Sequence, residues 1–495
     1  MDDIAPWNWP MHWRVLVLLN ISVYNMMGNI FTAGVTPLFG LLVLEFQITV
    51  NQASYLSSYA LLAFGLANIW ALPATAYIGK RWTILISMSI FLAASIFASQ
   101  ANSYDSLVAS RIIGGLFGGI IEALGPLIVS ELFPEHQLAS AMVVYVSFLA
   151  AGSAIGPVIA GLIGTHLNSW RWFFGVCSIA IGMNFITSVI MLPETSFAEE
   201  WAPTMPDAQN TEKGPPSDDI EIVESVLATT PAISPPVSGT DLWTLWHHRS
   251  FFLPWNFSKV SPPKQRFSGM VTLLLEPWSL LLTPQVFVTT LIFGLTIGWT
   301  VVISILFSTV LQMPPHLWSA QSIGLINFSA LIGIVIGLPV GGPFADKLSA
   351  VQTKRSGGEH NPCSRLPALL LGGTISPAGL LVIGFSFRPE HFSWIGAAAG
   401  WAMLSFGLTA ASNVLLAYSV DCFRHKAGHV GVLVNVIKNS IGFGVSYASV
   451  EWYTNSGPVL QMGTMAGILW FAYLLALPLY FLHENVMKLS CKIVR

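Results

Sequence analysis

Charge is what this sequence has least of. Only 9% of its 495 residues are Asp, Glu, Lys or Arg, against roughly 25% in ordinary soluble domains. With 54% of residues hydrophobic, a soluble globule of this composition could not cover its own surface. The net charge of -3 leaves no bulk field to draw in nucleic acid or an acidic partner, so no nucleic-acid binding is expected. Cysteine is nearly as scarce. Cys177 lies in an apolar run and Cys363, Cys422 and Cys491 lie near basic segments, which indicates no disulfide framework. Catalytic signatures are also missing: there is no Gly-x-Ser-x-Gly elbow, no His-Glu-x-x-His, no Walker phosphate loop and no Cys/His metal spacing. The chain therefore does not read as an enzyme, no cofactor or metal is expected, and any transport has to run on a gradient. The first residues, MDDIAPWNWPMHW, lack the basic-then-apolar order of a cleavable signal peptide, so the first apolar run is expected to remain as an insertion signal.

What the sequence does have is long apolar runs, such as FVTTLIFGLTIGWTVVISILF, each at least the ~20 residues a helix needs to cross ~30 Å of hydrocarbon. They predict spans at about 14–44, 54–77, 82–100, 106–130, 138–164, 172–192, 285–311, 319–341, 366–387, 392–418, 429–452 and 462–482. The fold class is an all-α membrane protein: a tail over 1–13, six spans over 14–192, a linker over 193–284, six spans over 285–482 and a tail over 483–495. An even number of spans puts both termini on one side. With that side cytosolic, 17 of the 21 Lys and Arg fall inside, two outside (Arg171 and Arg388) and two within spans. Dropping the five in the long linker still leaves 12 against two, which fixes the orientation by the positive-inside rule.

The linker changes character partway. Residues 194–224 hold nine acids and one Lys, and seven prolines fall between Pro203 and Pro236, a composition of a disordered segment. The second half, with Trp243, Trp246, Arg249, Lys259, Lys264 and Arg266, reads either as more linker or as an interfacial helix. The Asn-x-Ser sequences at Asn20, Asn256 and Asn327 fall in spans or linker, so no external glycosylation is predicted. A faint repeat is visible where LPATAYIGKRW and GGPFADKLSA end the second and eighth spans, with Pro73 and Pro343 in register.

Three charges fall deep in spans: Arg111, Glu122 and Lys438. Each costs about 2.5–3.5 kcal/mol at a bilayer centre on insertion scales, so each needs a reason to be there. Arg111, Gly115, Gly118 and Glu122 share a face of the fourth span at 3.6 residues per turn, with the two charges ~16 Å apart along the axis. Glu122 is either a carboxylate that exchanges protons or holds a cationic substrate, or half of a fixed ion pair. Arg111 is either functional or caps carbonyls of an adjacent helix. Lys438 is counter-charge to Glu122 or a site for an anionic group, beside a polar face of Asn435, Asn439, Gly442 and Ser446. Asn25, Asn29, Thr32 and Thr36 form an uncharged stripe on the first span that suits a cavity wall or interhelical hydrogen bonds. In the fifth span, Gly152, Gly156, Pro157 and Gly161 mark close helix contact around a proline-freed carbonyl.

Several stretches resemble the major facilitator superfamily, in particular fungal members of its twelve-span drug:proton antiporter group. They are NWP at Asn8, RIIGGLFGGIIEALGP from Arg111, GSAIGPVIAG from Gly152 and SWRWFF from Ser169. In the second half EPWSLLLTPQVF, GGPFADK, RSGG..NP..RLPAL, AYSVD and VIKNSIGFGVSY are similar to the branch containing the yeast histidinol and polyamine transporter. The resemblance implies two pseudo-symmetric six-helix bundles around a central cavity. It also implies proton coupling through Arg111 and Glu122, an antiporter motif at Gly152 to Gly161, and gating loops at Gly79, Lys80, Arg81, Asp346 and Lys347. Two departures stand out: Ala76 replaces the family's Asp in the first loop, and Ser349 replaces its Gly in the second.

The combined expectation is a proton-coupled carrier of small organic molecules, acting as a monomer in the lipid bilayer of the cell membrane (the vacuolar membrane being the alternative) and working outward. Proton-symport uptake of polyamine-like cations, and a ligand sensor on a transport fold, are the rivals. Topology is checked directly: cysteines introduced at Ala208 and Ser356 should react only with reagents that enter the cytosol, and labelling of either from outside intact cells would overturn the charge count.

Overall fold

The structure, a computed structural model, describes residues 9–133, 135–193, 274–355, 362–388, 390–423 and 426–494. Among them, twelve helices are long and apolar enough to cross a membrane. Spans 1 to 6 are Met11–Phe46, Val50–Ala76, Lys80–Ser99, Tyr104–Leu132, Ala141–His166 and Arg171–Met191. Spans 7 to 12 are Pro284–Gln312, Ala320–Gln352, Cys363–Ser386, Trp394–Cys422, Gly428–Tyr447 and Ser449–Phe481. The expected disordered and interfacial parts of the linker lie outside the described residues.

The helix starts repeat between the halves. Thr49 and Ser103 accept from the backbone N–H groups of Gln52 and Ser106 in capping boxes, and Ser319 and Ser393 accept from those of Ser322 and Gly396. These caps open spans 2, 4, 8 and 10, so short capped turns follow one plan in both halves. At the opposite face, which carries the basic loops, the charges repeat as well. Lys80 at the start of span 3 pairs with Glu131 near the end of span 4, and Arg365 at the start of span 9 pairs with Asp421 at the end of span 10, at 3.0 Å. The faint sequence repeat thus has a physical counterpart: the same two ends are tied by the same kind of ion pair. Gly79, at φ 88°, makes the turn between spans 2 and 3 in a region that disfavours any other residue.

Three predicted boundaries shift, and the first is that span 8 runs on to Gln352 past its predicted end at 341. Residues 449–456 belong to span 12, because Gly457 at φ 73° followed by Pro458 bends that helix instead of ending it. Residues 274–280, read as linker, form a helix against the protein. Its Pro277 and Trp278 line a small gap together with Ile69 and Leu72 of span 2 and Val432 and Leu433 of span 11. Glu276 clamps it with Lys426 at 2.8 Å. The hydrogen bond from Lys426 holds the Glu276 carboxyl below the usual carboxylate range, so the clamp survives to more acidic pH than an unpaired carboxylate would allow. The tail also folds, as a helix over His483–Val494 whose Ser490 hydroxyl donates to Gln285 Oε1 at 2.5 Å.

Each bundle has its own apolar core, and the bundles meet along span 2 against span 11 and span 5 against span 8. Away from the basic face, Gln312 donates to the Pro37 carbonyl at 2.8 Å, and Tyr55 stacks on Tyr447 at 4.4 Å. Nearer the basic face, Val432 and Val436 of span 11 enter the core of the first bundle. The interface is therefore closed on both sides of the centre.

Candidate functional site

Glu122 ties the first bundle to the second by polar contacts. Span 4 is interrupted just before it: the helix Tyr104–Gly118 ends at a glycine pair, and Glu122 N–H turns back to the Gly119 carbonyl at 3.1 Å. That tighter turn changes the helical phase. The two charges predicted to share a face meet different partners, Arg111 on spans 1 and 2 and Glu122 on span 11.

Glu122 Oε1 accepts from Lys438 Nζ at 2.9 Å, and Oε2 accepts from Asn439 Nδ2 at 3.0 Å. Both side chains of the ion pair are almost completely buried, at 2% and 3% exposure. Pro126, four residues on, has no N–H for the Glu122 carbonyl, and Asn435 Nδ2 donates to that oxygen at 3.0 Å. One residue of the first bundle thus collects three side chains of span 11 in the second. The predicted trio Asn435, Lys438 and Asn439 is brought together, as the partner set of Glu122 and not as a cavity wall. Of the two readings of Lys438, the geometry is that of counter-charge.

Arg111, fully buried, makes no ion pair among the described residues. Its guanidinium donates to the backbone carbonyls of Phe31, Thr32 (2.7 Å) and Leu56 (3.2 Å) and lies 4.6 Å from the Phe31 ring centroid. Those carbonyls belong to spans 1 and 2, so the side chain braces three helices. The Gly-Pro motif of span 5 does pack closely. A Cβ on Gly156 would lie 3.1 Å from the Ile30 Cα of span 1, and Gly152 faces Met26 and Asn29. A side chain on Gly161 would run into the Ala320 carbonyl of span 8, and one on Gly324 would meet the Pro157 carbonyl at 2.7 Å. Small residues are required there because two backbones from different bundles touch.

A cavity of about 50 Å³ accessible to water centres lies between the bundles, lined from spans 1, 2, 5, 7, 8 and 10. Holding one water takes about 10–15 Å³ of such space, so the closed arrangement admits a few waters and no organic molecule. Thr32 and Thr36 line it, and Thr36 Oγ1 lies 3.3 Å from Ser304 Oγ across the interface. Asn25 and Asn29, predicted for this wall, do not line it: Asn29 Nδ2 turns back to the Asn25 carbonyl at 3.0 Å. Sequence reasoning passed over Ser57, Thr300, Asn327, Trp401 and Ser405, which do line it. They carry no charge to flag them, and their only signal was polarity inside an apolar run. Of the expected gating residues, Lys80 binds Glu131, Arg81 donates to the Val189 carbonyl at 2.9 Å, and Lys347 is exposed.

A family profile described as Major Facilitator Superfamily matches residues 18–447. The chain belongs to the Major Facilitator Superfamily. The superfamily's proteins are transporters and not enzymes, and this one is a multi-pass membrane transporter. Among curated relatives, the MFS-type transporter penM of Penicillium rubens is 25% identical over 489 residues, covering 97% of this chain and 86% of the relative. The efflux pump FUBT of Fusarium oxysporum is 24% identical over 393 residues, covering 79% of this chain and 59% of the relative. Among solved structures, the xylose transporter XylE of E. coli, in a partially occluded inward-open conformation, is similar with a TM-score of 0.61. The match has 14% identity and covers 94% of this chain and 97% of that one. At that identity the likeness establishes the superfamily fold alone.

The geometry makes Arg111 a brace. Arg111→Ala removes donors from three buried carbonyls and should lower thermal stability in detergent by about 3 kcal/mol, roughly one per lost hydrogen bond. Arg111→Lys, with its donors on a single nitrogen, should recover only part. Wild-type stability of Arg111→Ala would contradict the assignment.

Proposed function

We propose that the chain is a proton-coupled carrier that exports small organic molecules from the cytosol by alternating access, acting as a monomer with both termini cytosolic in the cell membrane. The observation that carries this reading is the buried pair of Glu122 and Lys438, one charge on each bundle. A proton on Glu122 removes the negative half of that pair, and with it the main polar tie across the interface. Protonation and parting of the bundles are then linked: whatever favours the parted state favours the proton, and the reverse. Arg111 enters this scheme by fixing spans 1 and 2 against span 4, not by handling the proton. The paired basic-face charges, Lys80 with Glu131 and Arg365 with Asp421, hold each bundle rigid as it moves.

Export is supported by the Gly-Pro segment of span 5, placed where spans 5 and 8 cross, and by the naming of FUBT as an efflux pump. The resemblance of the second half to the histidinol and polyamine branch supports the rival of cation uptake. Against it, no carboxylate among the described residues lines the cavity to receive a polyamine.

Glu122→Gln keeps the size and most hydrogen bonding of the side chain but holds it permanently neutral. In reconstituted vesicles it should reach the membrane in normal amount, lose gradient-driven flux at least tenfold, and lose the pH dependence of substrate binding. Retention of both by Glu122→Gln would place coupling elsewhere. If the variant fails to fold because Lys438 is left unpaired, Lys438→Met in the same chain should restore expression.

A further inference from the structure

Among the described residues, the central cavity has no ionisable side chain on its wall; its polar lining is hydroxyls, one amide and one indole. Four of these groups have a polar atom with no hydrogen-bond partner: the Ser57 and Ser405 hydroxyls, Asn327 Oδ1 and Trp401 Nε1. Their residues are 3%, 0%, 3% and 2% exposed, respectively. Buried polar atoms are almost always paired, so a cluster of orphans on one cavity wall calls for water in the closed state and offers partners to a ligand that displaces it. Other hydroxyls on the same wall are already used: Thr32 donates to the Gly28 carbonyl at 3.1 Å, Ser153 to Ala150 at 2.8 Å and Thr300 to Thr296 at 2.8 Å. Unpaired buried atoms occur elsewhere too, such as Trp299 Nε1 and Ser412 Oγ, but these four belong to residues that line one cavity. Ser57 comes from span 2, and Asn327, Trp401 and Ser405 come from spans 8 and 10, so a ligand touching all four would touch both bundles.

The chemistry of the set is specific. Trp401 Nε1 only donates and asks for an acceptor on the ligand. Asn327 Nδ2 is held by the Ile323 and Gly324 carbonyls at 3.0 and 3.2 Å, which leaves its Oδ1 to accept from a ligand donor. The two hydroxyls serve either way. Between them lie Leu61, Val301, Ile334 and Leu408, an apolar surface. Meanwhile Glu122 and Lys438 satisfy each other, and Arg111 is bound by carbonyls. An ion in the cavity would meet no counter-charge, and a buried unpaired charge is far more unfavourable than a lost hydrogen bond.

We propose that the cargo is an electrically neutral organic molecule presenting at least one hydrogen-bond acceptor and one donor on an apolar or aromatic body, and that permanent ions are excluded. The proposal rests on the carrier reading and specifies its substrate class. The exchanged proton then travels with Glu122, and the neutral cargo adds no charge to the cycle.

Binding is tested without any gradient, on the full chain in lipid nanodiscs, with size-matched 7-substituted 4-methylcoumarins bearing an amino, a trimethylammonium or a sulfonate group. The amino compound should bind, and the two ions should bind at least ~100-fold more weakly. Trp401→Phe, which removes the indole N–H, and Ser405→Ala should each weaken the amino compound about tenfold, as loss of one hydrogen bond to a buried group predicts. Ser405→Ala alters shape very little and keeps the test decidable if Trp401→Phe does not fold. The proposal is overturned if the trimethylammonium compound binds within about tenfold of the amino compound, if the amino compound does not bind, or if its affinity is unchanged in either folded variant. Selective neutral binding without flux in vesicles would instead overturn the carrier reading and leave this assignment standing.

Discussion

Taking a carboxylate and an ammonium group out of water is expensive, and Glu122 and Lys438 are tolerated inside the protein only because they meet each other. Breaking such a pair by removing one partner typically costs 3–5 kcal/mol, while replacing both with apolar residues is often neutral or stabilising. A pair with that profile is weak evidence for stability and better evidence for a switch. Here the two charges stand on different bundles, so the energy of the pair depends on whether the bundles are together. The local structure serves this one contact. The glycine pair ends the first half of span 4 and sets the phase of Glu122, Pro126 frees its carbonyl, and Asn435 and Asn439 fill the remaining acceptor positions.

The cavity and the ion pair are separate places. The cavity wall is neutral and lined from six spans, while the pair draws on spans 4 and 11. A carrier built this way need not compensate charge at the substrate site, and the proton need not compete with cargo for one carboxylate. In the proposed cycle both sites depend on the separation of the bundles, and that shared variable is what would couple them. Spans 5 and 8 cross with their backbones in close contact, Gly161 and Gly324 facing each other, and in the proposed cycle this is the surface on which the bundles would rock.

The spans were legible because each must carry its own apolar run. Most span ends fell within a few residues, and the twelve helices and two bundles follow from length, hydropathy and the weak repeat alone. The site was legible in part. Glu122 and Lys438 were visible as charges that needed a reason, and their mutual pairing was one of the open readings. That Arg111 and Glu122 meet different partners was not legible, since a 3.6-residue projection cannot foresee a turn tightened after Gly118 and Gly119. The wall residues Ser57, Asn327, Trp401 and Ser405 were missed because an uncharged polar side chain in a span looks the same whether it bonds its own helix or faces a cavity. Only the pairing of each atom separates the two cases.

The central claim is that the charge on Glu122 sets the distance between the bundles. Spin labels at Ser130 in the first bundle and Ala350 in the second, both exposed near the basic face, allow that distance to be followed by pulsed electron paramagnetic resonance as pH is varied in nanodiscs. The account predicts that the distance distribution shifts as pH falls, and that Glu122→Gln shows the low-pH distribution at every pH. A Glu122→Gln protein whose distances still move with pH as the native protein's do would contradict it.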